Sequence, residues 1–401
     1  LQELLLNAEL TYQARRAFVW DAYTWDRGPP YALYGGTPGV DEDGDGKEEG
    51  KLIPARVPLS ALIGGPIIGA PFPPYTHEGR HPRAISRAHF ARVCPHPITV
   101  DPALVKARLD SAADAPTTIA HWVAELATLG PCVQIERDGP QLFDIWVLGN
   151  PDRLLPVWPA YRVSPIITAF RWSPLVRAAL ETNGARFPHL PDLPALPTNV
   201  PSPPNPDDAL LPGLLALHIR RGDFADHCEH LAKWKAGFNA FNSFPALFED
   251  AGRADERFVV PEGGDWGEAT PENLAIYLRR CFPTFAQIAH RVRVVRTEWE
   301  ARTGRRLGWV YVMTNGRREW LAELEGVLRE EGDGDTFTWD GFTTSRDLAL
   351  SREQRYVAQA VDMYIGTRAE VFIGNGFSSL TSNVVMLRMA HGVDPRDTRL
   401  W

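Results

Sequence analysis

The second half of the chain alternates continuous apolar runs with helical patterns, and this constrains the fold more than any other feature. "LLALHI" (214–219), "LGWVYVMT" (307–314), the short "TFTW" (336–339) and "EVFIGN" (370–375) are separated by segments of helical periodicity. These segments run from Pro271 to about Thr303, over 316–331, over 352–367 and over 378–391. A strand apolar at every position is buried on both faces, and strands joined through helices must run parallel, so the expectation is an α/β fold around a parallel sheet. Ligands on such sheets sit at the carboxyl ends of the strands.

The first half alternates less cleanly. It reads as a helix over 1–16, a strand "AFVWDAY" (17–23), a helix near 116–129, and strands at "CVQIE" (132–136) and "FDIWVL" (143–148). Between the halves, residues 187–212 ("FPHLPDLPALPTNVPSPPNPDDALLP") carry too much proline for a helix or a central strand. The expected organisation is an N-terminal domain over 1–186, a Pro-rich linker over 187–212 and a C-terminal domain over 213–401.

At 401 residues the chain is long enough for two cores. Its 50 acidic and 42 basic residues leave a formal net charge of −8, which argues against a nucleic-acid-binding surface. No stretch of eighteen apolar residues is present, so no membrane span is expected in this chain. Asp41, Asp43, Asp45 and Gly46 fall on calcium-loop positions, but Leu52 stands where a bidentate glutamate is needed, so "DEDGDGKEEGKL" reads as a surface loop. His227, Cys228 and His230 match no metal-site spacing, and no metal is expected. The four cysteines leave two readings open: a pair of disulfides (Cys94 with Cys132, Cys228 with Cys281), or four buried thiols.

Three polar segments end strands of the second half: "HIRRGDF", "MTNGRREW" and "FIGNGFSSLTSNVV". In the first, Arg220 lies two residues beyond His218 and so on the same side of an extended strand, whereas Arg221 lies on the other. A guanidinium fixed at a strand end suits a diphosphate, because its planar fork donates two parallel hydrogen bonds. The bland alternative is that Arg220 or Arg221 merely pairs with Asp223 to close the turn. In the third segment Ser378, Ser379 and Thr381 open a helix, where free amides and a partial positive charge favour phosphate oxygens; simple capping is the bland reading of Ser378.

"DMYIGTRAEVFIGNGFSSLTSNVV" (362–385) resembles the C-terminal motif of the GDP-fucose protein O-fucosyltransferases, and "HIRRGDF" is similar to that superfamily's H-x-R motif. "VYVMTNGRREWLAEL" resembles the strand-and-turn between them, with Asn315 where the family commonly has an acidic residue. The resemblance covers Leu214 to Arg388. It implies a GT-B architecture, two Rossmann-like domains facing across a cleft, with GDP-fucose held mostly by the C-terminal one. It further implies inverting transfer of fucose to a hydroxyl of a protein or glycan acceptor, without a divalent metal. Carried over by position, Arg220 would bind the diphosphate and stabilise the departing GDP, with Arg221 and Thr381 beside it in the donor site. His218 would contact the nucleotide, Asp362 would accept from the guanine edge, and Ser378 and Ser379 would bind the β-phosphate. The family's glycine-rich loop, which reaches over the donor, would lie just before Leu1. The secretory-pathway lumen, with a signal or anchor upstream, is the implied location, and an inactive relative that binds a nucleotide sugar or glycan is the alternative function. A third reading is an unrelated α/β nucleotide-binding protein, such as a phosphatase or kinase; against it, no G-x-x-x-x-G-K-[ST] segment and no paired metal carboxylates are present in the sequence.

Overall fold

A computed structural model describes residues 1–24, 31–33, 52–73, 81–188, 209–222, 224–330 and 338–401. The calcium-like loop up to residue 51, most of the Pro-rich segment and Asp223 lie outside the described residues.

The second half holds a five-stranded sheet: β1 (Leu211–Ile219), β2 (Trp309–Thr314), β3 (Gly341–Thr344), β4 (Ala369–Gly374) and β5 (Thr398–Leu400). Every pairing is parallel, in the order β3-β2-β1-β4-β5. Alternation along the strands sorts their side chains into two buried layers. Leu215, Leu217, Ile219, Val310, Val312, Val371 and Ile373 meet one layer of helices, Phe285–Thr303 and Arg318–Glu330. Leu214, Ala216, Tyr311, Met313 and Phe372 meet the other layer, which includes helices Ala358–Arg368 and Ser379–Ala390. That second core continues into the first half of the chain, through Leu5, Leu6 and Leu10 of the N-terminal helix and Trp172.

Several expectations shift in detail. The helix expected from Pro271 to Thr303 is two, Pro271–Cys281 and Phe285–Thr303, because Pro283 cannot donate within a continuous helix and Thr284 caps the second with a capping box. The third strand lies at Gly341–Thr344 and not at "TFTW", whose described residues Thr338 and Trp339 are not extended in a sheet. "FDIWVL" is no strand: Asp144 accepts from the amides of Trp146 and Val147 and caps a short helix, Ile145–Leu148, whose Ile145 and Trp146 are exposed. An acceptor placed at the N-cap satisfies amides that a strand would leave to a neighbour. The helix Phe224–Lys233 and the edge strand β5 were not expected. In the first half, the described residues form five separate two-stranded pairings rather than one sheet.

A buried arginine ties the sheet to its helical layer. Arg388 is fully buried in helix Ser379–Ala390 and donates to Thr398 Oγ1 and to the carbonyls of Gly366, Thr367, Ala369, Glu370 and Asp397. It thereby satisfies the last carbonyls of helix Ala358–Arg368, which would otherwise be orphaned in the core.

The cysteines form Cys94–Cys132 and Cys228–Cys281, with Cα separations of 5.5 and 5.9 Å. The second joins helix Phe224–Lys233 to helix Pro271–Cys281 across 53 residues of chain. Cross-linking a loop of that length restricts the unfolded chain and typically stabilises by about 2–4 kcal/mol. The double variant Cys228→Ala, Cys281→Ala is therefore expected to lose about that much stability in urea unfolding, and an unchanged midpoint would contradict a stabilising bridge.

Candidate functional site

The strand order changes direction on either side of β1, so the carboxyl ends of β1 and β4 border the topological switch point where open parallel sheets bind ligands. The site grows from those two ends. β1 stays apolar through Ala216, then places His218 on the face shared with helix Ser379–Ala390. There His218 Nδ1 lies 2.7 Å from Thr381 Oγ1. Thr381 Oγ1 also accepts from the amide of Asn375, 3.0 Å away, so one hydroxyl links the ends of both strands. Burial, helped by the charge of Arg220, lowers the His218 pKa to about 3. The imidazole is thus neutral near pH 7 and serves as a hydrogen-bonding group, not a cation.

Close approach at β4 depends on missing side chains. A Cβ on Gly374 would collide with Thr381 and Phe372, and one on Gly376 with the Phe238 ring. Beyond them Ser378 caps the helix, accepting from the amide of Leu380 at 3.2 Å, and Asn242 Nδ2 donates to the carbonyls of Gly376 and Ser378. Ser378 and Thr381 are buried, whereas Ser379 is exposed. A cavity of about 350 Å³ opens beside Ser379, walled by Gln2, Tyr23, Trp172, Met363 and Asn383 among others. Gln2 Nε2 in addition donates to the Ser379 carbonyl.

The two arginines part as strand geometry requires. Arg220 continues the His218 side, with its guanidinium 4.9 Å from the Phe224 ring centre. Arg221 turns to the opposite face, where its guanidinium lies 4.4 Å from Phe282 and 4.5 Å from Trp320 and donates to the Pro283 carbonyl. Burial holds it down to about 10, so it remains a cation. The structure therefore brings His218, Arg220, Ser378 and Thr381 to one strand edge and sets Arg221 apart from them. Asn315 completes the turn: its Oδ1 accepts from the Arg221 amide and its Nδ2 donates to the Arg221 carbonyl. An aspartate could make only the first of these bonds.

Asp362 lies in helix Ala358–Arg368 over the ends of β2 and β3. It accepts from Tyr311 at 2.5 Å and from Ser345 at 2.9 and 3.0 Å, and retains partial exposure. Burial raises its pKa to about 6, against the opposing effect of those two hydrogen bonds and of the Arg346 charge. Arg346 also donates to the carbonyls of Asn315 and Gly316. Tyr311, Ser345 and Arg346 were missed in the sequence, and Asn315 was singled out there without its role in the turn. Placing β3 at "TFTW" hid "SRD" (345–347) as a strand-end cluster. Among the described residues no three His, Cys, Asp or Glu side chains gather as metal ligands, and no helix is long and apolar enough to cross a membrane.

No family model and no curated protein matches the chain. Solved structures that resemble it include POFUT1 in complex with GDP, at 13% identity and a TM-score of 0.47, over 99% of this chain and 92% of that one. POFUT1 in complex with GDP-fucose is similar at 15% identity and a TM-score of 0.44, over 99% and 93%. Likeness at this level carries no functional assignment.

Asp362 gives a pH test of this geometry. Its folded pKa lies above the ordinary carboxyl value of 3.8, so its contribution to stability is fully present below that value and is lost as pH rises through about 6. The Asp362→Asn variant is expected to gain melting temperature relative to the parent as pH increases from about 4 to 7. A constant difference across that range would show that Asp362 is not held in a desolvated site.

Proposed function

We propose that the chain is a glycosyltransferase that moves fucose from GDP-fucose to a hydroxyl of a protein or glycan acceptor, with inversion and without a divalent metal. The observation that carries this reading is the grouping of Arg220, His218 and the Ser378–Thr381 helix start at the switch point, together with the motifs that supply them. The donor diphosphate would lie against Arg220 and the first-turn amides of helix Ser379–Ala390. The Ser378 hydroxyl accepts from the Leu380 amide and still has its proton to donate to a phosphate oxygen. Ser379, exposed at the same helix start, would reach the β-phosphate from the cavity side. Asp362 would accept from the N–H edge of guanine, and its hydrogen bonds from Tyr311 and Ser345 fix the carboxylate for that role.

Arg221 enters this scheme indirectly. With its backbone clipped by Asn315 and its guanidinium packed between two rings, it would hold the strand end that aims Arg220 rather than contact the donor. As the fucosyl bond breaks, negative charge grows on the β-phosphate oxygen. A fixed guanidinium and helix amides aimed there stabilise the transition state more than the ground state. The proposed division is an acceptor-side domain over 1–186 and a donor domain over 213–401, joined by the Pro-rich segment. Two disulfides support assignment to an oxidising secretory lumen.

Arg220→Lys keeps the charge and loses the planar fork. The expected result is a fall in kcat of about 100- to 1000-fold with little change in melting temperature. A destabilised variant with near-normal turnover per folded molecule would make "HIRRGD" a structural turn. Turnover is also expected to persist in excess EDTA; its loss, with recovery on adding manganese, would overturn the arginine-based account of the leaving group.

A further inference from the structure

We propose that the surface built around Trp234 and Trp266 docks a cationic, arginine- or lysine-bearing segment of a partner polypeptide. The two indoles are 51% and 60% exposed, pack edge to face at 5.3 Å and 81°, and share this part of the chain with Val259, 75% exposed. Large aromatic side chains left in water at a fixed geometry are what interface hot spots are made of.

The pair is held rigidly. Trp234 follows helix Phe224–Lys233, and Trp266 sits in the loop leading to helix Pro271–Cys281; the Cys228–Cys281 bridge joins these helices. The loop is fastened by the Gly267 amide donating to the Lys233 carbonyl at 2.9 Å and by Lys235 Nζ donating to the Gly264 carbonyl at 2.7 Å. Asn273 Nδ2 adds bonds to the carbonyls of Glu262 and Gly263. A platform ordered in advance spends little entropy on binding.

Charge selects the occupant. Glu262, Asp265 and Glu268 flank Trp266 and Glu272 opens the next helix; all four are exposed, and no cation pairs with their carboxylates among the described residues. Lys233 pairs with Glu229 at 2.8 Å, and Lys235, which donates to the neutral Gly264 carbonyl, leaves a single uncompensated cation beside these four carboxylates. The loop carboxylates thus offer acceptors, while indole faces attract guanidinium and ammonium groups.

The test uses the intact chain and a synthetic oligo-arginine peptide as probe, with binding read by calorimetry and by tryptophan emission. Saturable binding is expected that weakens as salt is raised, that falls on the order of 10-fold in Trp266→Ala, and that is largely restored in Trp266→Phe. The paired change Asp265→Asn, Glu268→Gln should weaken it comparably without altering melting temperature. Equal binding by the parent, Trp266→Ala and the paired variant would reduce the effect to the chain's net negative charge and overturn the proposal. So would absence of peptide binding at low salt, or binding of a neutral glucose oligosaccharide, lost in Trp266→Ala, in place of the peptide.

Discussion

A parallel strand buried on both faces has no place for an unpaired polar side chain, and the arrangement of this protein's second half follows from that constraint on β1. From Leu214 to Leu217 every side chain enters one of two apolar layers. His218 is the first polar group, and it is admitted to the buried edge because Thr381 meets it across the switch point. That bond fixes the start of helix Ser379–Ala390 against the end of β1, and Arg220 takes its position from it. The same requirement explains Arg388, whose guanidinium satisfies carbonyls that would otherwise be stranded where a helix, β4 and β5 converge.

His218 and Asp362 show how burial sorts polar groups into different roles. Desolvation pushes the imidazole down and the carboxyl up, so both lean towards their neutral forms. Asp362, with donors from Tyr311 and Ser345 and some exposure, remains largely ionised near pH 7 and able to accept from a ligand. His218 has no such freedom, which leaves Arg220 as the charge carried forward by β1.

The aromatic surface at Trp234 and Trp266 is organised by contacts of its own. Its rigidity comes from a disulfide and backbone hydrogen bonds, so it needs no ligand at the switch point to hold its shape.

Apolar periodicity was enough to anticipate the parallel sheet, because a strand buried on both faces leaves an uninterrupted signature in the sequence. It was also enough to put Arg220 with His218 and Arg221 on the other side, since that division follows from the two-residue repeat of a strand. It failed at "TFTW" and "FDIWVL", where short apolar runs are ambiguous and a single capping aspartate, Asp144, decides for a helix. The choice between the two disulfides and free thiols, the Arg221 clasp with Asn315, Phe282 and Trp320, and the polar ring around Asp362 were left to tertiary structure. Each joins residues distant in the chain, and side-chain partners chosen by packing leave no local pattern to read. Sequence alone therefore determined which groups stand at the ends of β1 and β4, and folding decided which of them come together and what stands at the end of β3.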